Sequence, residues 1–456
     1  MTRLQNQSGR PLLKAVRGSF LDFVDDPFYV AAEESVRYLS DGLLVLEDGK
    51  VKAFGAYDDL QADYGEIATT VYAERLIMPG FIDTHIHYPQ TEMIAAYGEQ
   101  LLEWLSQYVF PTEGKFHDKD YARQVADTFL DQLLSNGTTT ALVFATVFPQ
   151  SVDAFFEAAE ARSLCMIAGK VMMDRNAPDS VCDTAESSYQ ETKALIQKWH
   201  KKGRLRYAIT PRFAITSTDK QLQKAGELLR EFPDVYMHTH ISENLKEVEW
   251  VKELFPACEG YLGAYDQAGL VKERSVFAHG IHLTEREFQR LSEAKSAIAF
   301  CPTSNLFLGS GLFKIEQAKS TEYPVKVGLG TDVGAGTSFS LLQTANEAYK
   351  VAQLRQQKLS PFQALFLATL GGAKALCLED SLGNFDIGKD ADFVVLNLRS
   401  TPLMAFRNGA DIPQSIDDLT DRVFSLIMMG DDRVIESVYI LGELAYKQER
   451  SLHTPP

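Results

Sequence analysis

The stretch LIMPGFIDTHIH, residues 76–87, decides the fold of this chain. It is short and largely apolar, which indicates a strand, and it ends on two histidines, His85 and His87. Side chains at positions i and i+2 of a strand point to the same face, about 6–7 Å apart along the strand. Two imidazoles placed in this way can converge on one metal ion, although a pair of hydrogen-bonded core histidines is the alternative.

Seven further stretches of the same kind follow and alternate with longer helical segments, of which residues 118–137 are the first. These strand candidates are residues 138–145, 164–174, 206–214, 235–243, 275–283, 296–305 and 325–336. Eight β/α units over about 260 residues are typical of a closed parallel barrel. A doubly wound open sheet is the alternative, but it would not need eight strands with chemistry at their carboxyl ends.

Both ends of the chain carry β patterns outside this barrel. Residues 12–23 predict a strand, residues 42–55 a hairpin around Asp48-Gly49, and residues 434–447 a hairpin around Gly442. The predicted fold class is therefore α/β, with a (β/α)8 TIM barrel inserted in a small composite β-sandwich domain. The predicted domains are 1–75, the amino-terminal part of the sandwich, 76–382, the metal-dependent hydrolase barrel, and 383–456, the carboxyl-terminal part of the sandwich.

The composition narrows the classes of function. The chain has 456 residues and a net charge of −17, which disfavours nucleic-acid and membrane-surface partners. No apolar run approaches the ~18 residues of a membrane span, and residues 1–18 contain no apolar signal segment. Five dispersed cysteines indicate free thiols in a reducing compartment, so we expect a cytoplasmic protein.

Three other strands also deliver a metal-ligand type of residue at the carboxyl end. His240 ends the fifth strand, His279 the sixth, and Asp332 the eighth, inside GLGTDVGAG. In a barrel these ends form the active site. We therefore predict four metal ligands, with one coordination position left open for water: His85, His87, His240 and Asp332. Zinc and ferrous iron both accept such ligands.

Glu243 follows His240 by three residues and is predicted to move protons at the reacting water without binding the metal. His279 could be a further ligand, but we favour hydrogen bonding to the attacking water and to the attacked group. His238 shares a strand face with His240 and is interpreted as a barrel-interior residue. Lys170 could bridge two metals, but no lysine ends the fourth strand, so one metal is favoured.

The motifs PGFIDTHIH, HISE, AHG, GTD and LGNFDIGKDADFVVL resemble the amidohydrolase superfamily over nearly the whole chain. The HxxE after the fifth strand and the absence of a metal-bridging lysine resemble its mononuclear deaminase branch. Residues 85–113, 169–178, 209–214, 301–311 and 330–340 are similar to the guanine deaminase family within it.

The resemblance implies hydrolysis of guanine to xanthine and ammonia, with one Zn²⁺ per chain (Fe²⁺ being the alternative), in a homodimer. Glu243, His279 and Asp332 are the predicted catalytic residues, and the resemblance adds purine contact by Gln90, Arg212 and Phe213. Substrate is also expected to approach His87, His240, Glu243 and Asp332. Arg212 offers donors to the keto edge of the purine, and Gln90 can donate and accept along another edge. Trp104 could pack against the purine ring.

Three alternatives compete with this interpretation. A related hydrolase of triazines, 8-oxoguanine or cytosine would share the metal ligands and differ in the pocket. A catalytically inactive barrel acting as a binding protein would have lost a ligand or the HxxE glutamate, and neither is lost. The unrelated zinc nucleobase deaminase fold needs HxE and PCxxC, and Cys301 has no second cysteine at that spacing.

Overall fold

A computed structural model describes residues 13–97 and 100–449, so the predicted strand start at residue 12 and the segments 1–11 and 450–456 lie outside the described residues. Residues 98–99 of the stretch 85–113 also lie outside. The strands are β1 (Lys14–Phe23), β2 (Val36–Glu47), β3 (Lys50–Ala56), β4 (Thr69–Pro79), β5 (Phe81–His87), β6 (Thr138–Phe144), β7 (Cys165–Gly169), β8 (Val171–Met172), β9 (Arg206–Pro211), β10 (Tyr236–Ile241), β11 (Ser275–His279), β12 (Ala297–Phe300), β13 (Lys326–Leu329), β14 (Phe393–Leu396), β15 (Ile435–Ile440) and β16 (Glu443–Lys447).

Eight of these strands form the predicted barrel. Its sheet runs in the order β13-β12-β11-β10-β9-β7-β6-β5, and β8 pairs with β9 beside it. The two ends of this sheet meet without a regular ladder. Thr84 Oγ1 donates to the Leu329 carbonyl at 2.9 Å, and the Asp332 amide donates to the His85 carbonyl at 2.9 Å. The barrel is thus nearly closed, and the carboxyl ends of β5 and β13 are brought together.

The helices that alternate with the barrel strands start at well-formed caps. Thr184, Asn244 and Thr284 each form a capping box with a residue three positions later, and Thr218 and Ser340 also accept a backbone N–H. The helices of eight or more residues are Tyr57–Tyr64, Lys119–Ser135, Pro149–Ala161, Ala185–Trp199, Asp219–Glu231, Leu245–Leu254, Gly260–Gln267, Glu285–Glu293, Leu341–Leu354 and Ile416–Met429.

The segment after β5 contains only short helical pieces. They are the 3₁₀ helix Tyr88–Met93, the helix Leu101–Trp104, the π-helical turn Leu105–Val109, the helix Phe110–Glu113 and the 3₁₀ helix Gly114–His117. A π-helical turn frequently marks a functional site. This segment supplies several side chains to the cavity described below.

The second sheet joins both ends of the chain, in the order β16-β15-β14-β4-β1-β2-β3. Both predicted hairpins are confirmed. Asp48 and Gly49 have φ of 51° and 80°, and Leu441 and Gly442 have φ of 50° and 71°, the left-handed values that tight two-residue turns require. Phe20, Phe54 and Phe385 form part of the apolar cluster on one face of this sheet.

The predicted first barrel strand, residues 76–87, is in fact two strands. β4 ends at Pro79 and belongs to the second sheet, where Leu76–Pro79 pairs antiparallel with β14, and the barrel strand β5 begins at Phe81. A Cβ at the intervening Gly80 would lie 2.2 Å from Thr139 Oγ1. The chain therefore changes sheets at a residue without a side chain, beside a proline that cannot donate to a ladder.

We expect Gly80→Ala to lower the free energy of unfolding by about 1–3 kcal/mol, because the new methyl group would overlap Thr139. Gly55→Ala is the matched control, since the nearest atom to its added Cβ, Leu60 Cδ1, is 3.5 Å away. Denaturant unfolding of both variants measures the difference. Equal stabilities would mean that the backbone at Gly80 has room for a side chain.

The chain divides into two compact units, one comprising residues 1–81, 132–139 and 380–456, and the other residues 82–131 and 140–379. The domain boundaries given above stay predictions. Within the described ranges, no helix is long and apolar enough to cross a membrane. The five cysteines are free thiols.

Candidate metal centre and active site

The four predicted metal ligands converge at the carboxyl end of the barrel. Their ligand atoms all lie within 4.8 Å of one another, and all four residues are buried: His85, His87, His240 and Asp332. Asp332 Oδ1 lies 3.1 Å from His85 Nε2 and 3.3 Å from His87 Nε2. The Nε2 atoms of His87 and His240 are 3.2 Å apart.

The imidazoles of His240 and His85 are each fixed by a hydrogen bond at the ring nitrogen Nδ1. His240 Nδ1 lies 2.7 Å from the Arg212 carbonyl, to which it donates. His85 Nδ1 lies 2.7 Å from His238 Nε2. A metal at His85 Nε2 requires the tautomer in which Nδ1 carries the proton, and in that tautomer Nδ1 donates this hydrogen bond to His238 Nε2. His85 Nε2 itself is buried and makes no hydrogen bond with any described residue. Such an orphaned nitrogen, turned toward a carboxylate, suits a metal ligand.

The protonation states of the four predicted ligand residues also suit the binding of a metal cation. Burial lowers the pKa of His85 and His240, and lowers that of His87 to about 3, so these imidazoles are neutral and keep a free lone pair. Burial opposes ionisation of Asp332, but the neighbouring His85 and His87 hold its pKa well below the usual value. Three neutral imidazoles and one carboxylate match the donors of a zinc-type site.

Glu243 and His279 lie beside these ligands. His279 Nε2 is 3.4 Å from Glu243 Oε2 and 3.8 Å from Asp332 Oδ2, while its Nδ1 is held at 2.8 Å by Asn305 Oδ1. Burial and the nearby Glu247 and Asp332 raise the pKa of Glu243 well above the usual value. This carboxyl group can therefore carry a proton near neutral pH.

The turns that aim these side chains adopt a backbone conformation that is costly for residues other than glycine. Ser242, His279 and Asp332 have φ of 48°, 72° and 52°. Each lies at or just after the carboxyl end of a barrel strand. Strained backbone of this kind clusters at functional sites, where the surrounding structure over-determines it.

The second-metal hypothesis finds little support among the side chains. Lys170 donates to the carboxylate of Asp183 and to the Val171 carbonyl at 3.2 Å. A second group of ligand types, His279, Cys301 and Asp332, shares Asp332 with the first. Burial raises the pKa of Cys301 well above that of an ordinary thiol, so without a metal this residue is a neutral thiol.

A cavity of about 380 Å³ opens onto the convergence of ligands. Its lining residues are His87, Gln90, Leu101, Trp104, Leu105, Arg212, Phe213, His240, Glu243, His279, Leu308, Asp332 and Ala335. Every residue predicted to contact substrate or to act in catalysis thus lines one cavity, and so does Trp104. The Trp104 Nε1 is buried and has no hydrogen-bond partner in the described part of the chain.

Two functional side chains escaped the sequence reasoning. Glu113 is buried and accepts from Arg212 Nη1 at 2.9 and 2.8 Å and from Gln90 Nε2 at 3.3 Å. Asp83 accepts from the His85 and Thr331 amides, both at 3.1 Å, and so ties β5 to the loop that carries Asp332. A signal existed for Asp83, which precedes His85 by two residues on the same strand face.

Comparison with known proteins identifies the family. The Amidohydrolase family profile matches residues 76–445. The chain is 54% identical to guanine deaminase of Escherichia coli (strain K12) over 97% of this chain and 99% of that protein. The chain belongs to the amidohydrolase family. Within this family its high-identity relatives are guanine deaminases.

Solved structures agree with this membership. The E. coli guanine deaminase structure matches with a TM-score of 0.92, over 96% of this chain and all of that one. A guanine deaminase from Bradyrhizobium japonicum matches with a TM-score of 0.93 at 41% identity, over 96% of this chain and 100% of that one. The guanine deaminase from C. acetobutylicum, solved with guanine bound in its active site, matches with a TM-score of 0.84 at 27% identity, covering 95% and 100% of the two chains. The predicted α/β class with its (β/α)8 barrel is confirmed for this member of the amidohydrolase family.

Proposed function

We propose that this amidohydrolase is a guanine deaminase, which converts guanine and water to xanthine and ammonia. The observation that carries the proposal is one cavity. Glu243 and three of the four predicted ligand residues, His87, His240 and Asp332, line it beside Gln90, Arg212 and Phe213, and His85 completes the ligand group behind them. The first set suits hydrolysis, and the second offers donors and an aromatic surface to a planar heterocycle. The relatives named above are guanine deaminases over nearly the full length of this chain.

His85, His87, His240 and Asp332 would hold one divalent cation, and we propose Zn²⁺. Such an ion, when bound, lowers the pKa of a coordinated water and so supplies a nucleophile at neutral pH. Fe²⁺ accepts the same ligand types. Elemental analysis of the purified protein decides between the two ions. A protein with neither ion would remove the hydrolytic part of the proposal.

Arg212 and Gln90 orient the purine. Guanine is neutral and presents a keto oxygen at C6, which the guanidinium of Arg212 can meet only as a donor. Gln90 Oε1 accepts from the Gly334 amide at 3.1 Å, and its Nε2 faces Glu113, so the orientation of the amide is set by its neighbours. Phe213 contributes an apolar wall. In this orientation the C2 amine would face the predicted metal ligands.

Glu243 carries the protons of the reaction. It accepts a proton from the attacking water and delivers it to N3 of the purine as the C2–O bond forms. It then takes the proton of the new C2 hydroxyl and passes it to the C2 amine, the C–N bond breaks, and ammonia leaves as the C2 carbonyl of xanthine forms. His279, fixed by Asn305, and Asp332 hydrogen-bond the attacking water. The raised pKa of Glu243 suits both directions of transfer.

Rates of ammonia release from guanine, 8-oxoguanine, cytosine and amino-triazines test the substrate. We expect guanine to have the highest kcat/KM. The likeness to triazine hydrolase structures, at 22–23% identity, concerns the fold alone. If a triazine or cytosine had a higher kcat/KM than guanine, the proposed substrate would be wrong and the proposed hydrolytic chemistry would still hold.

Arg212→Ala should lower kcat/KM for guanine by about 10–100-fold, since it removes a charged donor to the keto oxygen. 2-Aminopurine lacks that oxygen, so its kcat/KM should fall far less and the gap between the two bases should narrow. Metal content should stay unchanged. Arg290→Ala is the control, because Arg290 pairs with Asp266 and does not line the cavity. An unchanged ratio in Arg212→Ala would mean that Arg212 does not contact the keto edge.

We also propose a cytoplasmic location, supported by five free thiols and the strongly acidic composition. The homodimer implied by family resemblance stays a prediction. Light scattering of the purified protein measures its mass directly. A monomeric mass would contradict the dimer without bearing on the chemistry.

A further inference from the structure

The carboxylate of Glu113 joins the two side chains that are proposed to bind the purine. Glu113 ends the short helix Phe110–Glu113 and is 1% exposed. Both of its oxygens accept from Arg212 Nη1, at 2.9 and 2.8 Å, and Oε1 also accepts from Gln90 Nε2 at 3.3 Å. No step of the proposed reaction uses this buried carboxylate.

The ion pair changes what Arg212 offers to a ligand. The Arg212 side chain is 3% exposed, so its charge and that of Glu113 interact with little screening. With the described residues, Arg212 forms side-chain hydrogen bonds through Nη1 and none through Nε or Nη2, and Arg212 lines the cavity. The guanidinium thus keeps N–H donors for a neutral oxygen while its net charge is cancelled by Glu113.

Substrate and product differ in charge, and the Arg212–Glu113 ion pair affects how strongly a charged ligand is bound. Guanine is neutral near neutral pH. Xanthine carries a second ring carbonyl, at C2, which makes its ring N–H groups more acidic, so it forms a monoanion much closer to neutral pH. An unpaired guanidinium in a buried site would attract that monoanion as an ion pair with little screening, whereas a neutral purine would gain no such charge–charge attraction.

We propose that Glu113 is a specificity-determining residue, which neutralises Arg212 so that the purine subsite favours neutral purines and releases anionic ones such as xanthine. This inference rests on the proposed function. Besides Arg212, the ionisable groups that line the cavity are His87, His240, Glu243, His279 and Asp332. They are the same in wild type and in a Glu113 variant, so a comparison between the two isolates the carboxylate of Glu113.

Inhibition of guanine deamination by xanthine and by hypoxanthine tests the proposal. Hypoxanthine is the matched neutral ligand, because it has the C6 keto group but no group at C2. Measured at a pH where xanthine is largely ionised, Glu113→Gln should tighten xanthine inhibition by about tenfold. Hypoxanthine inhibition should change by no more than about threefold, since glutamine preserves size and a hydrogen bond, and the ratio of the two inhibition constants is the readout.

Two further variants control the result. Glu113→Asp keeps the negative charge but moves it away from Arg212, because the side chain is shorter by one methylene. The ratio of xanthine affinity to hypoxanthine affinity in this variant should therefore lie between the ratios of wild type and Glu113→Gln. Glu92→Gln removes an exposed carboxylate, paired with Lys115, from the same segment and should leave the ratio at the wild-type value. The Glu113→Asp shift also tests the proposal if Glu113→Gln fails to fold.

The proposal is overturned if the two inhibitors change affinity together in Glu113→Gln, or if the ratio in Glu113→Asp equals that of wild type. General damage to the pocket would weaken both inhibitors and leave their ratio unchanged. Failure of the proposed function is distinguishable, because wild type would then release no ammonia from guanine. A wild type that deaminates guanine, beside variants with an unchanged ratio, would contradict only the role of Glu113.

Discussion

Glu243→Gln is expected to keep its metal and to lose at least about 10³-fold in kcat, the largest effect that we predict for one substitution. The amide preserves the size of the side chain and some hydrogen bonding, but it cannot accept a proton from water or deliver one to the amine. Both transfers would fail together. Glu243 lies 3.4 Å from His279 Nε2 and is not one of the four converging ligand residues, so the metal should stay.

Steady-state kinetics and elemental analysis of the same preparation test this expectation. Glu247→Gln offers a useful comparison, because Glu247 accepts from the Glu243 amide at 2.8 Å and from Tyr261 Oη at 2.6 Å without lining the cavity. It should lose less activity than Glu243→Gln, since the reacting carboxyl group remains. If the Glu243→Gln protein contained no metal, we would conclude instead that Glu243 is a metal ligand.

Removing any of the four metal ligands should lower metal occupancy and activity together. His85→Ala, His87→Ala, His240→Ala and Asp332→Ala each delete one donor from the convergent group. The activity of each variant should fall in proportion to its occupancy or further. Metal-to-protein ratios after dialysis against a weak chelator give the comparison.

His238→Ala is the matched control for the ligand variants. Its Nε2 touches His85 Nδ1 at 2.7 Å, so it supports a ligand without being one. Loss of such a supporting contact costs about 10–100-fold in metal affinity, less than loss of a ligand, and we expect a larger effect on stability than on occupancy. A metal-depleted His238→Ala beside a metal-replete His85→Ala would reverse the two assignments.

The convergence of the four predicted metal ligands could be predicted because each of them lies at or near the carboxyl end of a strand, and the carboxyl ends of parallel strands meet at one rim. His85 and His87 needed only the two-residue period of β5. The same period points to Asp83, and extending the pattern by one more step would have found it. The side chain of Asp83 is buried among backbone donors, and its pKa is raised by burial to about 7.

Glu113 could not be predicted by pattern. It is 99 residues from Arg212 in sequence, and it follows Phe110-Pro111-Thr112 in a segment without strand or long-helix periodicity. A glutamate there is typical of a solvated helix end. Only the folded path of the segment after β5 places it against Arg212. Pairings between residues distant in sequence depend on tertiary packing that local patterns do not contain.

The division at Gly80 shows a similar limit. Residues 76–79 and 81–87 have the same apolar character, so the sequence pattern reads them as one strand, whereas the first part pairs with β14 and the second lies in the barrel sheet. Turns were easier, because Asp48-Gly49 carries its own conformational preference.

Guanine turned over in ¹⁸O-labelled water tests the central claim most directly. Metal-replete enzyme should release one ammonia for each guanine consumed and form xanthine that carries one solvent oxygen, at C2, as mass spectrometry would show. Adenine under the same conditions should react about 10⁴-fold more slowly. It has no amine at C2, and when it is turned to bring its C6 amine to the reacting water, the donors of Arg212 have no keto oxygen to meet. Guanine left unchanged, or xanthine without solvent oxygen, would contradict the claim that this cavity hydrolyses guanine.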